Sequence, residues 1–190
     1  METRRRRSTL RTSKKDVILR AAVGIIESDG LDAVTYESLA DASGMSKSGL
    51  IYHFPSRHEL MLGVHRFLAG QWEEELESAA GGAAGEVSPA ERLRAMVLSL
   101  SRSATRADLL LQVDSRTHRD FVEVWRDVDE RWLPPVDGVD GDGKDADLKR
   151  AAYLVQILAD GLWMHDHVHD HALTDAQRKA LTSAILELIP

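Results

Sequence analysis

Apolar residues recur at helical spacing through most of the chain, and the breaks between runs carry glycine, proline or a capping hydroxyl. From Lys14 onward, Val17, Ala21 and Ile25 form one ridge and Ile18, Ala22 and Ile26 the next, until Asp29-Gly30 ends the run. That period predicts a helix with one buried side. The next runs are shorter. Thr35 is a candidate N-cap for a helix whose inner residues are Leu39 and Ala40. The chain then turns through Ala42-Ser43-Gly44-Met45, with Gly44 where a residue lacking Cβ best leaves right-handed helical space. Ser46 caps a second short helix, predicted to face Leu50, Ile51 and Phe54 inward and to leave Lys47, Ser48, Tyr52 and His53 free. Pro55 breaks it, and Ser56 caps a helix from Arg57. The stripe Leu60, Met61, Val64, Phe67, Leu68, Trp72 and Leu76 makes that helix long enough to begin in one domain and end in another.

Beyond the flexible run Gly81-Gly82-Ala83-Ala84-Gly85, Ser88-Pro89 supplies a cap and first turn, and Leu93, Met96, Val97 and Leu100 a buried face. Residues 107–116 give a short apolar segment around Leu109-Leu110-Leu111 and Val113. Phe121, Val122, Trp125, Val128 and Trp132 line another helix, stopped by Pro134-Pro135. Two helices close the pattern. Residues 146–168 carry Leu148, Ala151, Ala152, Val155, Leu158, Ala159 and Leu162 inward. Residues 174–189, capped by Thr174, carry Ala180, Leu181, Ala184, Ile185 and Leu188. Small residues on both let helices approach closely, so two copies of the pair are expected to form a four-helix bundle. The interface is placed on Ala152, Val155, Ala159, Ala180, Ala184 and Leu188.

Two helices of about two turns joined by a Gly-containing turn have the form of a helix-turn-helix. They are too short to stand alone and need flanking helices to bury their apolar side. Gly30, Thr35, Leu39-Ala40, Ser43-Gly44-Met45-Ser46, Leu50-Ile51-Tyr52-His53-Phe54, Ser56-Arg57 and Glu59-Leu60 together resemble the DNA-binding domain of the TetR family of bacterial transcriptional regulators. The similarity runs without a gap from about Lys15 to Leu68. One departure is Arg57, where the family usually has Lys; Arg keeps the charge and adds a fork suited to phosphate.

The resemblance implies an all-α protein: a three-helix DNA-binding domain at 14–66, then a helical effector-binding and dimerisation domain at 67–190. It implies a homodimer, joined through the last two helices, that reads a roughly palindromic operator. A small-molecule effector would change the separation of the two heads through the connecting helix. Thr35, Tyr52 and Arg57 are the expected phosphate contacts, and Lys47 and Ser48, with His53, the candidates for base edges. Ser46 caps the reading helix, and Gly49 is expected to allow close approach of backbone to DNA. Met96, Leu100, Phe121, Trp125, Trp163 and Met164 are candidates for the wall of an effector pocket, each having plain core packing as the alternative.

Charge supports the division. Net charge is −7, yet residues 1–66 carry 11 Lys and Arg against 8 Asp and Glu, whereas residues 67–190 carry 13 against 23. A basic end suits phosphates, and an acidic remainder stays off them. Residues 1–13 hold five arginines and are expected to form a flexible arm along the DNA, with a solubilising tail as the alternative. The absence of cysteine excludes disulfides and fits a reducing cytoplasm. No apolar run approaches a membrane span of about 20 residues, and the arginine-rich start lacks a secretory apolar region.

Three other constellations in the chain suggest different chemistry. Residues 136–147 alternate aspartate with glycine, but counting from Asp140 the fifth position is Lys144 and the twelfth lacks Glu, so a solvated linker is expected. On a continuous helix His165 and His169 would share a face at i, i+4, which suits either a metal or a polar helix end, with an extended tail from about His167 as the other alternative; no metal or cofactor is assigned. No nucleophile elbow, phosphate loop or His-Glu-x-x-His helix supports an enzyme. The remaining alternatives are a ligand- or metal-sensing helical dimer with secondary or lost DNA binding, and an interaction platform built on the acidic domain.

Overall fold

The computed structural model describes residues 13–190, and the expected arm at 1–13 falls almost wholly outside them. Those residues fold into α1 (Lys14–Asp29), a 3-10 turn (Leu31–Ala33), α2 (Tyr36–Ser43), α3 (Lys47–His53) and α4 (Arg57–Ala80). They continue with α5 (Pro89–Ser99), α6 (Arg106–Asp114), α7 (Arg119–Trp132), α8 (Lys144–Val168) and α9 (Asp175–Glu187). None of these helices is long and apolar enough to cross a membrane.

The expected caps hold the starts of the helices. Thr35, Ser46, Ser56, Ser88 and Thr174 each accept a backbone N–H from the third helical residue, satisfying donors that a helix cannot pair internally. Gly44 takes φ 68° at the turn, a left-handed conformation that favours glycine. The Asp-Gly linker is tied down by protein: Arg150 donates to the carbonyls of Val139 and Gly141, each at 3.0 Å.

Two apolar cores share α4. The first gathers Ile18, Leu19, Ala22 and Ile26 of α1 with Leu39, Leu50, Phe54, Leu60, Met61 and Val64. It also takes Ala107 and Leu111 from α6 and Phe121 from α7, so residues well beyond position 66 help close it. The second gathers Leu76, Leu93, Met96, Val97, Val128, Trp132, Val155, Ala159, Leu162 and Ile185. Polar clasps bind the two ends. Arg131 grips Glu73 through two bonds of 2.7 Å, and Arg106 donates to the Ser28 carbonyl at 2.7 Å.

Several positions expected to face inward do not. Val17, Leu148 and Leu158 are exposed, and Ile51 is 42% exposed. On α3, Leu50 and Phe54 already fill the contact with α1 and α4. One residue of helix turns the side chain by about 100°, which carries Ile51 off that side.

Candidate nucleic-acid interface and helical interior

The outer side of α3 is held rigidly from behind. Tyr36 Oη donates to the Phe54 carbonyl at 2.5 Å, fastening the start of α2 to the end of α3. Phe54 in turn presses on α4 at Gly63, where an added Cβ would lie 2.7 Å from its ring. That contact leaves no room for a side chain at 63. With the back fixed, Tyr52 stands 83% exposed, its ring edge-on to His53 at 5.3 Å, and Lys47 and Ser48 are exposed one turn earlier.

The other expected contacts are engaged inside the protein. Thr35 Oγ1 is occupied by its cap, and Ser46 Oγ accepts the Gly49 N–H at 3.2 Å. A Cβ on Gly49 would sit 3.2 Å from that same Ser46 oxygen, so its bareness has a cause within the cap itself. Lys47 pairs with Glu37 of α2, which holds the Glu37 carboxyl below its usual range. Arg57 donates to the Leu31 carbonyl at 2.8 Å and lies 3.9 Å from Asp32. A nucleic acid would therefore compete with Glu37 for Lys47, whereas Arg57 braces the 3-10 turn.

The six expected pocket residues do not converge. Phe121 belongs to the first core, Met96 and Leu100 are buried in the second, and Met164 is exposed. Trp125 and Trp163 pack against the second core with Trp72, which the apolar pattern had assigned only to the stripe of α4. Trp72 and Trp125 stand with ring centroids 6.3 Å apart. Sequence reasoning missed the polar groups beside them. His65 is fully buried; it accepts the Trp125 indole N–H at Nδ1 (3.0 Å), which leaves Nε2 to donate to Asp114 at 3.1 Å. Burial outweighs Asp114 and lowers its pKa, keeping the ring neutral. Asp129 is pushed up to about 6 by burial, partly offset by Arg116. Asp160 is also pushed up to about 6, by burial and then by Asp129, and the Gln156 amide offsets this in part. The available signal was spacing: Asp129 follows Trp125 by four residues and Asp160 precedes Trp163 by three, so each shares a helix side with a tryptophan.

These carboxyls give a stability test. Each holds a proton in the folded chain between its ordinary pKa of 3.8 and about 6, a window in which the unfolded chain has released it. Their contribution is therefore favourable at low pH and is lost as pH rises through 6. Relative to wild type, a D129N/D160N double variant should gain about 2 kcal/mol between pH 5 and 7.5 in urea unfolding. A constant difference across that range would place both carboxyls in water.

The interface residues also need correction. Val155 and Ala159 are each 1% exposed within a single chain, and Ala152 packs against the same second core, so they serve the subunit's own interior. The exposed apolar side of α8 is turned from them and presents Leu154, Ile157 and Leu158. On α9, Ala180, Leu181, Ala184 and Leu188 are exposed. The rings of His165, His169 and His171 lie 4.6 to 6.0 Å apart, yet among the described residues no group of three or more His, Cys, Asp or Glu is placed to hold a metal ion.

A braced helix-turn-helix joined by one long helix to an all-helical body defines a DNA-binding regulator of the one-component kind. Residues 18–64 match the model of the bacterial regulatory proteins of the tetR family, and residues 90–190 match that of the tetracyclin repressor-like C-terminal domain; the chain belongs to the TetR family. Among curated proteins it resembles the HTH-type transcriptional regulator RutR of Escherichia coli strain K12, 32% identical over 78 residues, covering 41% of this chain and 37% of RutR. The chain thus matches little more than a third of that relative's length. Among solved structures, a proposed transcriptional regulator from Saccharomonospora viridis in complex with choline superposes with a TM-score of 0.67 at 20% identity, covering 90% of this chain and 94% of that one. A transcriptional regulator from Rhodococcus sp. Rha1 gives 0.66 at 20% identity, covering 93% and 94%. At such identities the likeness is one of fold.

Proposed function

We propose that the protein is a homodimeric repressor that leaves a palindromic operator when a small-molecule effector enters the body of each subunit. The observation that carries this is the outer side of α3, which projects Lys47, Ser48 and Tyr52 from a scaffold locked behind it by Phe54 and Tyr36. In a dimer, each such helix enters one major groove. Tyr52 contacts phosphate and sets register; Lys47, released from Glu37, reads a base edge with Ser48, and His53 lies at the margin. The exposed apolar sides of α8 and α9 form the two-fold contact, burying Leu154, Ile157, Leu158, Leu181, Ala184 and Leu188 against a second copy.

The route from effector to DNA runs along α4. Trp125 in the body holds His65 on α4, and His65 holds Asp114 on α6. A molecule that displaces Trp125 therefore moves the helix that begins at the DNA-reading head. An effector releases DNA only by favouring the conformation that does not bind it, and the linkage is reciprocal. The complex of the S. viridis relative with choline supports a small molecule as effector.

The test is a mobility shift on the DNA immediately upstream of the protein's own gene, with two variants. Lys47→Ala should weaken the preferred operator by about 1–3 kcal/mol and relax choice at one base pair per half-site. Tyr52→Phe should weaken all sequences about equally, because a phosphate contact carries no base information. Uniform loss in both variants would overturn the division between reading and positioning; no shift at all would favour a sensing dimer without a DNA role.

A further inference from the structure

Resting on the DNA-reading proposal above, we infer that Glu37 is a specificity-determining residue: with Lys47 it reads one G·C base pair in each half-site, Lys47 on the guanine and Glu37 on the cytosine. The starting point is a direct contact. The Lys47 ammonium on α3 is hydrogen-bonded to Glu37 Oε1 on α2, so a cation and an anion from two helices meet on the outer side of the head. Their side chains are 56% and 68% exposed. An ion pair so open to water adds little to stability. The backbone beneath each group is nonetheless fixed. Glu37 lies inside the reciprocal cap of Thr35 and Ser38, next to Tyr36, whose Oη holds the Phe54 carbonyl. Lys47 opens α3 directly after its cap, Ser46. Arg57 lines the same shallow hollow as Glu37 but is engaged with the Leu31 carbonyl and Asp32, which leaves Glu37 to Lys47.

The chemistry of the pair selects the base pair. When Lys47 turns to a base edge, it leaves behind an ionised carboxylate, which can only accept hydrogen bonds. Phosphates repel that carboxylate, and most of the major-groove edge consists of acceptors or the thymine methyl group. Only two groups there donate: the N4 amino group of cytosine and the N6 amino group of adenine. Any other base under Glu37 leaves its charge unanswered, so the residue excludes sequences as well as favouring one. The choice between the two donors follows from their neighbours. Across an A·T pair the donor sits between two acceptors, adenine N7 and thymine O4, so a carboxylate reaching it is repelled from both sides. Across a G·C pair the two acceptors, N7 and O6, lie together and the donor lies at the other end. That edge matches an ammonium beside a carboxylate. Guanine O6 and cytosine N4 are themselves hydrogen-bonded, hence about 3 Å apart, and two side-chain ends already in contact can meet them together.

The experiment selects bound duplexes from a random pool with the full chain, then measures fluorescence anisotropy on the selected operator and its single-pair variants at one salt concentration. The unsubstituted chain should enrich G·C at one position per half-site and lose affinity about tenfold when that pair becomes A·T. Glu37→Ala should bind random-sequence duplex more tightly, because a negative charge is gone, yet discriminate less than about threefold at that one position. Glu37→Gln keeps the shape of the side chain, and its amide can pair with both N6 and N7 of adenine, so this variant should accept A·T there as readily as G·C. Lys47→Ala should relax the same position, since the two groups touch. An equal gain on every sequence in both Glu37 variants would reduce Glu37 to a general electrostatic brake and overturn the inference, with the DNA-reading proposal left standing. Relaxation by Glu37 and Lys47 variants at different positions would also overturn it. Failure of the unsubstituted chain to enrich any sequence would overturn the DNA-reading proposal itself, and the inference with it.

Discussion

Ala184→Arg should yield a folded monomer that no longer binds its operator tightly. Ala184 is exposed on α9, so the long side chain meets water in the isolated subunit and leaves its core intact. In the proposed dimer the same position lies among Leu181, Leu188 and the apolar side of α8, where a guanidinium is both oversized and desolvated. Two-fold symmetry places the substitution in the interface twice. A single head offers few base contacts, so operator affinity should fall below detection in a mobility shift although Lys47, Ser48 and Tyr52 are untouched. Sedimentation on the same sample reads the first step independently. A dimeric variant that binds normally would move the interface to another surface.

Phe54→Ala should produce the opposite failure. Phe54 is buried between α3, α4 and α1, its carbonyl receives Tyr36, and its ring fills the space that Gly63 leaves open. Truncating a buried phenylalanine costs about 3–5 kcal/mol, and here the loss falls on an α3 of only seven residues that has no independent stability. The variant should lose DNA binding and the protection of α2–α3 amides from hydrogen exchange, yet remain dimeric, because α8 and α9 lie in the other core. Coincident loss of dimer and head would mean that the two cores unfold as one unit.

Local chemistry was the most legible part of the sequence. Caps at Thr35, Ser46, Ser56, Ser88 and Thr174 depend on a hydroxyl and the three residues after it, so reading them required no knowledge of distant neighbours. The side a residue takes was less legible where an apolar stripe is wider than one contact. Val155 and Leu158 both fit the pattern of α8, and only the packing of α5 and α9 decides that Val155 goes inside and Leu158 outside. Asp129, Asp160 and His65 were illegible because an isolated charged residue on a helix is ordinarily solvated. Their burial follows from how α4, α7 and α8 are arranged, which periodicity does not encode. Arg57 was read from the family resemblance, its charge and its fork, whereas its bond to the Leu31 carbonyl requires the 3-10 turn to be in place.

The central claim is that two copies of α3, fixed by one dimer, read DNA together. Selection of bound sequences from a random duplex pool by the full chain tests it most directly. The expected product is an inverted repeat whose half-sites are centred about one helical turn apart or a multiple of it, and it should disappear with Ala184→Arg. Enrichment of an unrepeated sequence, or of none, would contradict the claim.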